Sequence, residues 1–432
     1  MIKRDKYLMD LVDRMGNGLV KVITGIRRAG KSYLMNEIFY SYLKERGIDE
    51  KHIIRFAFDS ADDLVKIGED PLILDDEDKK VDPKLFVAYI AKNVDLTDGQ
   101  TYYLLLDEVQ KLGSFEAVLN GYLRKNNIDL YVTGSNSKFL SSDIRDEFEG
   151  RGDEIHVLPL SFSEFAPAYG GSDEEALDDY LVYGGLPLVA LMKKDEQKTK
   201  WLMSTMEKTY VRDLVRRHHL QSDGPISSLL DVVASDIGGL VNPLKLSDSF
   251  QSVKKTSISE DTVAKYIWYM EEAFLVKKSL RYDVKGNDYL STPYKLYFED
   301  LGLRNARLSF RQVEENHLME NALFNELRYR GYEVDVGAVE SRVVDAAKKE
   351  TRKMLEIDFV ANSGSRRYYI QSAFAMATSE KADSEYRPFK LIGDSFKKIV
   401  VVRDNIKPRR DENGYLTIGL LNFLKDPNSL DL

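Results

Sequence analysis

The residues Gly25-Ile26-Arg27-Arg28-Ala29-Gly30-Lys31-Ser32 form a G-x-x-x-x-G-K-[ST] string. Its chemistry is phosphate capture. Two glycines let the backbone curl until consecutive N–H groups point at phosphate oxygens. Lys31 carries a charge to the β- and γ-phosphates, and Ser32 offers its hydroxyl to Mg²⁺. Gly25, Gly30, Lys31, Ser32 and the adjoining Tyr33 are therefore the expected nucleotide-binding set, with ATP and Mg²⁺ as expected ligands. A second set closes the apolar run Tyr102-Tyr103-Leu104-Leu105-Leu106-Asp107-Glu108. One acid orders Mg²⁺ through water, and the next polarises the attacking water. Asp107 takes the first role and Glu108 the second. The run 129–136 ends in small polar residues, where Asn136 is either a sensor of the terminal phosphate or an ordinary turn amide.

Such groups need strands to aim them and a helix to cradle phosphate. Val22 and Ile23 lead into the first glycine, and Leu34, Ile38 and Phe39 set a helical period after Ser32. The helix N-terminus adds the positive end of its dipole. Further apolar runs at 20–24, 53–59, 102–107, 130–133 and 155–158 alternate with helical patterns. This predicts an α/β unit with a parallel sheet, the form of a P-loop NTPase. Ser161 or Ser163 caps the next helix.

The chain has 432 residues, enough for two to four domains. Its 43% hydrophobic and 31% charged residues fit a soluble globular protein. No apolar run is long enough for a membrane span. The charged start MIKRDKYLMD lacks the apolar core of a signal peptide. Without cysteine, disulfides and thiolate metal sites are excluded, and a cytoplasmic location is expected. The net charge of −9 argues against indiscriminate nucleic-acid binding but permits a local basic surface. Much of the acidity falls in 59–82, read as an exposed excursion.

In the middle, Gly184-Gly185-Leu186-Pro187 opens an apolar helix. Lys208, Arg212 and Arg216 lie four residues apart, a stripe suited to phosphates or simply a solvated, salt-bridged face. The segment 246–298 gives a short helix, a helix capped by Ser259, and a two-stranded wing. That is a winged helix-turn-helix, with Thr262, Lys265 and Tyr266 either facing DNA or packing on protein.

The strings GIRRAGKS, LLLDEVQ, TGSNSKFL, EGRG, PLSFSEF, YGGLPLVA and KLYFEDLGLRNA occur in one order. That order resembles a prokaryotic family of AAA+-like, STAND-related ATPases with a helical lid, a winged helix and a C-terminal restriction-endonuclease-like domain. The resemblance implies an ATPase domain at 1–165, the lid at 166–240, the winged helix at 241–312 and the nuclease-like domain at 313–432. It implies a homo-oligomer. It makes Asn136 the first sensor and Arg151 a finger or sensor. It likens Gly185-Leu186-Pro187 to a GxP motif whose proline packs near the nucleotide base. A nuclease of this kind needs a helix acid, a strand Asp and E-x-K on the next strand. Glu320 or Glu326 and Asp358 fit. Gln371 and Ala373 replace the remaining acid and lysine, so DNA cutting is expected to be lost while binding persists. Two functions are implied: ATP-driven action on DNA, including branched DNA, or a STAND-type switch with a protein partner.

Overall fold

The computed structural model describes residues 2–76, 79–134, 150–253, 258–344, 350–376 and 379–432. The chain packs as two units, Met1–Leu158 and Pro159–Leu432.

In the first unit the strands are β1 (Val20–Thr24), β2 (Ile53–Ala57), β3 (Tyr102–Asp107), β4 (Ile128–Thr133) and β5 (Gly152–His156). Among the described residues they form one parallel sheet in the order β2-β3-β4-β1-β5. The inner strands β1 and β3 are buried at every position, as helices on both faces require. The chain therefore shows the α/β parallel-sheet form of a P-loop NTPase. β5 begins earlier than its apolar run at 155–158, because Gly152 already pairs with Val20 at the sheet edge, where polar residues are tolerated. The acidic stretch 59–82 is not simply an exposed excursion. It holds the helix Ala61–Ile67, capped by Ser60, and buries Leu64, Ile67 and Val81 in the core. Its scattered acids hide an i, i+3 apolar pair.

In the second unit Ser161 caps the helix Phe162–Tyr169 through a capping box with Glu164. Phe162 and Phe165 of that helix pack edge-on against Tyr180 of the helix Asp173–Tyr183. This ties 159–165 to the second unit, so the break between units lies at Leu158. Two helices, Pro243–Val253 and Glu260–Glu272, precede the hairpin β7 (Val276–Asp283) and β8 (Asp288–Phe298); the short β6 is Leu240–Val241. After the helix Glu315–Tyr329 come β9 (Glu333–Val344), β10 (Glu350–Ser363), β11 (Arg366–Ala373), β12 (Lys397–Val402), β13 (Arg409–Arg410) and β14 (Leu416–Gly419). Among the described residues these strands make one sheet, β13-β14-β12-β11-β10-β9-β7-β8-β6. β7 pairs in parallel with β9 from Arg281 to Asp283, so the hairpin extends the C-terminal sheet instead of standing apart.

Candidate functional site

The C-terminal ends of β1 and β3, with β4 between them, bring the glycine loop (the Walker A motif) and the Asp107–Glu108 pair (the Walker B acids) to one end of the sheet. Gly25 has φ +132°, and a Cβ there would lie 2.2 Å from the Val157 carbonyl oxygen, so only glycine fits. Arg28 and Gly30 are also left-handed, and the helical run 31–45 starts directly after Gly30. Lys31 is 5% exposed and its Nζ donates to the carbonyls of Gly25 and Ile26 at 2.8 and 3.1 Å. Ser32 Oγ donates to Asp107 Oδ1 at 3.1 Å. Tyr33 comes next, with its ring partly exposed.

Asp107 is held from three sides. Thr133 and Ser32 donate hydroxyls to it, and Asn36 Nδ2 reaches its other oxygen at 3.3 Å. Burial raises its pKa, and the hydroxyl bonds work against that shift. Glu108 has φ +52°, a strained conformation for a non-glycine residue. Its N–H donates to Thr133 Oγ1 at 3.1 Å, and the Gln110 amide bonds its carboxylate. One threonine hydroxyl thus links both Walker B acids. Asp59 joins them: loss of solvent, then the charges of Glu108 and Asp107, raises its pKa.

Reasoning from motifs misses Thr133, Asn36 and Asp59. Thr133 ends the apolar run 130–133, which is a usable signal. Asn36 gives none, because it lies in a π-helical stretch, Leu34–Phe39, that breaks the simple helical count. Asn136 lies outside the described residues. Arg151 lies just before β5, its carbonyl accepting from Val20 N at 2.9 Å. That is the N-terminal edge of the sheet, opposite the glycine loop. Its guanidinium bonds Asn120 Oδ1 at 3.2 Å.

Pro187 belongs to the second unit, at the first turn of the helix Pro187–Ala190. The preceding turn is gripped by the later string KLYFEDLGLRNA. Asp300 accepts from the N–H of Gly185 at 2.8 Å and of Leu303 at 2.9 Å. Asn305 Nδ2 donates to the carbonyls of Leu181 and Val182. Burial pushes the Asp300 carboxyl up to about 6, against the pull of its N–H donors. The two strings are one packed junction. The basic stripe is less regular than its spacing implies: Lys208 lies in the π-helical stretch Met206–Val211, and Arg216 pairs with Asp213 at 3.1 Å.

The expected nuclease-like residues also meet within the second unit, with one addition. Glu320, Glu356 and Asp358 surround the ammonium of Lys295 from β8, which is 3% exposed. Glu326 lies elsewhere, paired with Arg330 at 2.8 Å. Gln371 Oε1 accepts from Asp358 N at 3.3 Å, and its side chain also bonds Glu385. Ala373 lies in the apolar core with Val339 and Tyr369. Lysine at 295 carries a faint sequence signal: it interrupts the otherwise apolar, fully buried run Tyr294–Phe298. Among the described residues no three metal-ligating side chains stand in a metal-holding arrangement, and no helix is long and apolar enough to cross a membrane.

An AAA domain matches residues 17–166, and a domain of unknown function matches 174–314. An uncharacterized protein of Haemophilus influenzae is 30% identical over 407 residues, covering 93% of both chains. An uncharacterized protein of Methanocaldococcus jannaschii is 26% identical over 380 residues, covering 84% of this chain and 76% of its own. The ORC1 protein of Aeropyrum pernix, solved in complex with DNA, overlays with a TM-score of 0.30 at 13% identity, over 71% of this chain and 92% of that one. The ADP complex of S. cerevisiae Hsp104 gives a TM-score of 0.31 at 13% identity, over 76% and 42%.

Proposed function

This chain belongs to the family of AAA-domain proteins that includes the Haemophilus influenzae relative, and from that premise we propose that it binds ATP with Mg²⁺ and hydrolyses it. The observation that carries the reading is the approach of Ser32 Oγ to Asp107 Oδ1 beside the glycine loop and its buried Lys31. Ser32 and Asp107 would hold Mg²⁺, Asp107 through water, and the ion would supply positive charge to the phosphate oxygens. Lys31 and the N–H groups following Gly30 would bind phosphate. Glu108 would take the proton of the attacking water.

The second unit would couple hydrolysis to DNA. The helix–helix–hairpin order of 243–298 supports a winged helix-turn-helix, and Lys265 and Trp268 stand exposed on its second helix. Arg366 and Arg367 on β11 would add phosphate contacts. The switch reading, with a protein partner, is favoured by Asp300. It fixes the turn ahead of Pro187, as a nucleotide-sensing proline would need.

ATPase rates with and without duplex, single-stranded and four-way-junction DNA test both readings. We expect turnover that DNA raises. Lys31→Ala abolishes nucleotide binding, and Glu108→Gln keeps binding but traps ATP. Intact nucleotide affinity in Lys31→Ala removes the phosphate-loop assignment. Slow turnover indifferent to every DNA removes the DNA reading and leaves the switch.

A further inference from the structure

Three carboxylates of the second unit converge on one buried cation supplied by the chain itself. Lys295 Nζ lies 2.7 Å from Glu356, 2.9 Å from Glu320 and 3.9 Å from Asp358. The four groups come from three elements: Glu320 from the helix Glu315–Tyr329, Glu356 and Asp358 from β10, and Lys295 from the hairpin strand β8. Tyr297, two residues along β8, donates its hydroxyl to Glu320 at 2.6 Å, and Ser372 N donates to Asp358 Oδ2 at 2.7 Å. The cluster is therefore hydrogen-bonded on several sides and centred on an ammonium.

A nuclease-like domain would place a divalent cation among such acids. The residues present do not fit one. A dication beside Asp358 would lie close to a fixed positive charge. The two positions that would complete a cutting site are committed elsewhere: Gln371 bonds the backbone of β10 and Glu385, and Ala373 is core. We propose that Lys295 is the resident counter-ion of the Glu320–Glu356–Asp358 cluster, taking the place of the metal and fastening the hairpin to the nuclease-like segment. The charge balance agrees with this assignment. Burial would lower the Lys295 pKa, but Glu320, Asp358 and Glu356 together hold it above the ordinary lysine value. Burial and the charge of Glu320 raise the Asp358 pKa, and the Lys295 charge opposes that shift. The inference uses the nuclease-like reading of 313–432 and is independent of the nucleotide site.

The test is Mn²⁺ binding by the full chain without nucleotide, followed by electron paramagnetic resonance. In the native chain, Glu320→Gln and Asp358→Asn should leave the Mn²⁺ titration unchanged. Lys295→Met, which keeps the side-chain length without charge, should gain one Mn²⁺ at least tenfold tighter than any native site. Adding Asp358→Asn should remove it. Should Lys295→Met fail to fold, Lys295→Gln keeps a polar group in place and is expected to show the same gain. Mn²⁺ bound by the native chain and lost in Asp358→Asn would overturn the counter-ion role while leaving the nuclease-like reading intact. Folded variants that gain nothing, beside a native chain that binds nothing, would overturn both.

Discussion

Lys21 lies wholly buried in β1, where its ammonium pairs with Asp129 and sits 5.0 Å from the Tyr131 ring centroid. Asp129 also accepts from Tyr131 and from Gly16 N. Removing one member strands the other's charge in the core, a loss of about 3–5 kcal/mol. Lys21→Met and Asp129→Asn should each lose that much in urea unfolding, and the double variant should lose less than their sum. Strict additivity would show that the pair is not coupled. His218 gives a pH signal. It stacks on Tyr269 with ring centroids 3.3 Å apart, and Trp268 lies 6.1 Å away. Burial, then the charges of Arg217, Lys265 and His219, holds its pKa down to about 4. A histidine depressed in the folded state is stabilising as the neutral ring. That contribution is complete above its unfolded value near 6.5 and is lost as pH falls toward 4. His218→Phe keeps a stacking ring that cannot titrate. Between about pH 7 and 4.5 the variant should therefore lose less stability than the native chain; equal losses would refute the assignment.

At the scale of elements, the parallel sheet decides which groups can share a site. The five residues of β1 span roughly 15 Å at about 3.3 Å each. Arg151 sits at one end of that span and the glycine loop at the other. We therefore expect Arg151 to act on ATP held by a neighbouring subunit of a homo-oligomer. An arginine finger contributes about 10³–10⁵-fold in rate. Arg151→Ala should keep nucleotide affinity and slow turnover by that order, and mixing it with Lys31→Ala should restore part of the rate. Absence of rescue, with turnover independent of protein concentration, would take Arg151 out of the mechanism. The π-helical stretches are also decisions of packing. Leu34–Phe39 accompanies the approach of Asn36 to Asp107, and Met206–Val211 breaks the even stripe that four-residue spacing implied.

At the scale of the whole chain, the second unit should bind DNA without cutting it. Phosphate contacts make such binding fall steeply with salt. With Lys295 in the metal's place, as proposed above, and Gln371 and Ala373 committed elsewhere, we expect no cleavage in Mg²⁺ or Mn²⁺. Metal-dependent cleavage by the full chain, abolished by Asp358→Ala, would reverse this. The glycine loop and the apolar run into Asp107 were legible in the sequence, because phosphate loops and buried parallel strands are local patterns a few residues long. So was the Ser259 cap, and Ser161 as one of two candidates, because caps act across one turn. What the tertiary structure decided is which distant residues meet. Thr133 joins the two Walker B acids, Asp300 grips a turn more than a hundred positions earlier, and Lys295 fills an acid cluster built from a helix and another strand. Register also placed Arg151 at the far edge of the sheet and joined the hairpin to the C-terminal strands. None of these has a sequence period. They arise from burial, which forces each polar group removed from water to find a partner wherever the fold brings one within reach.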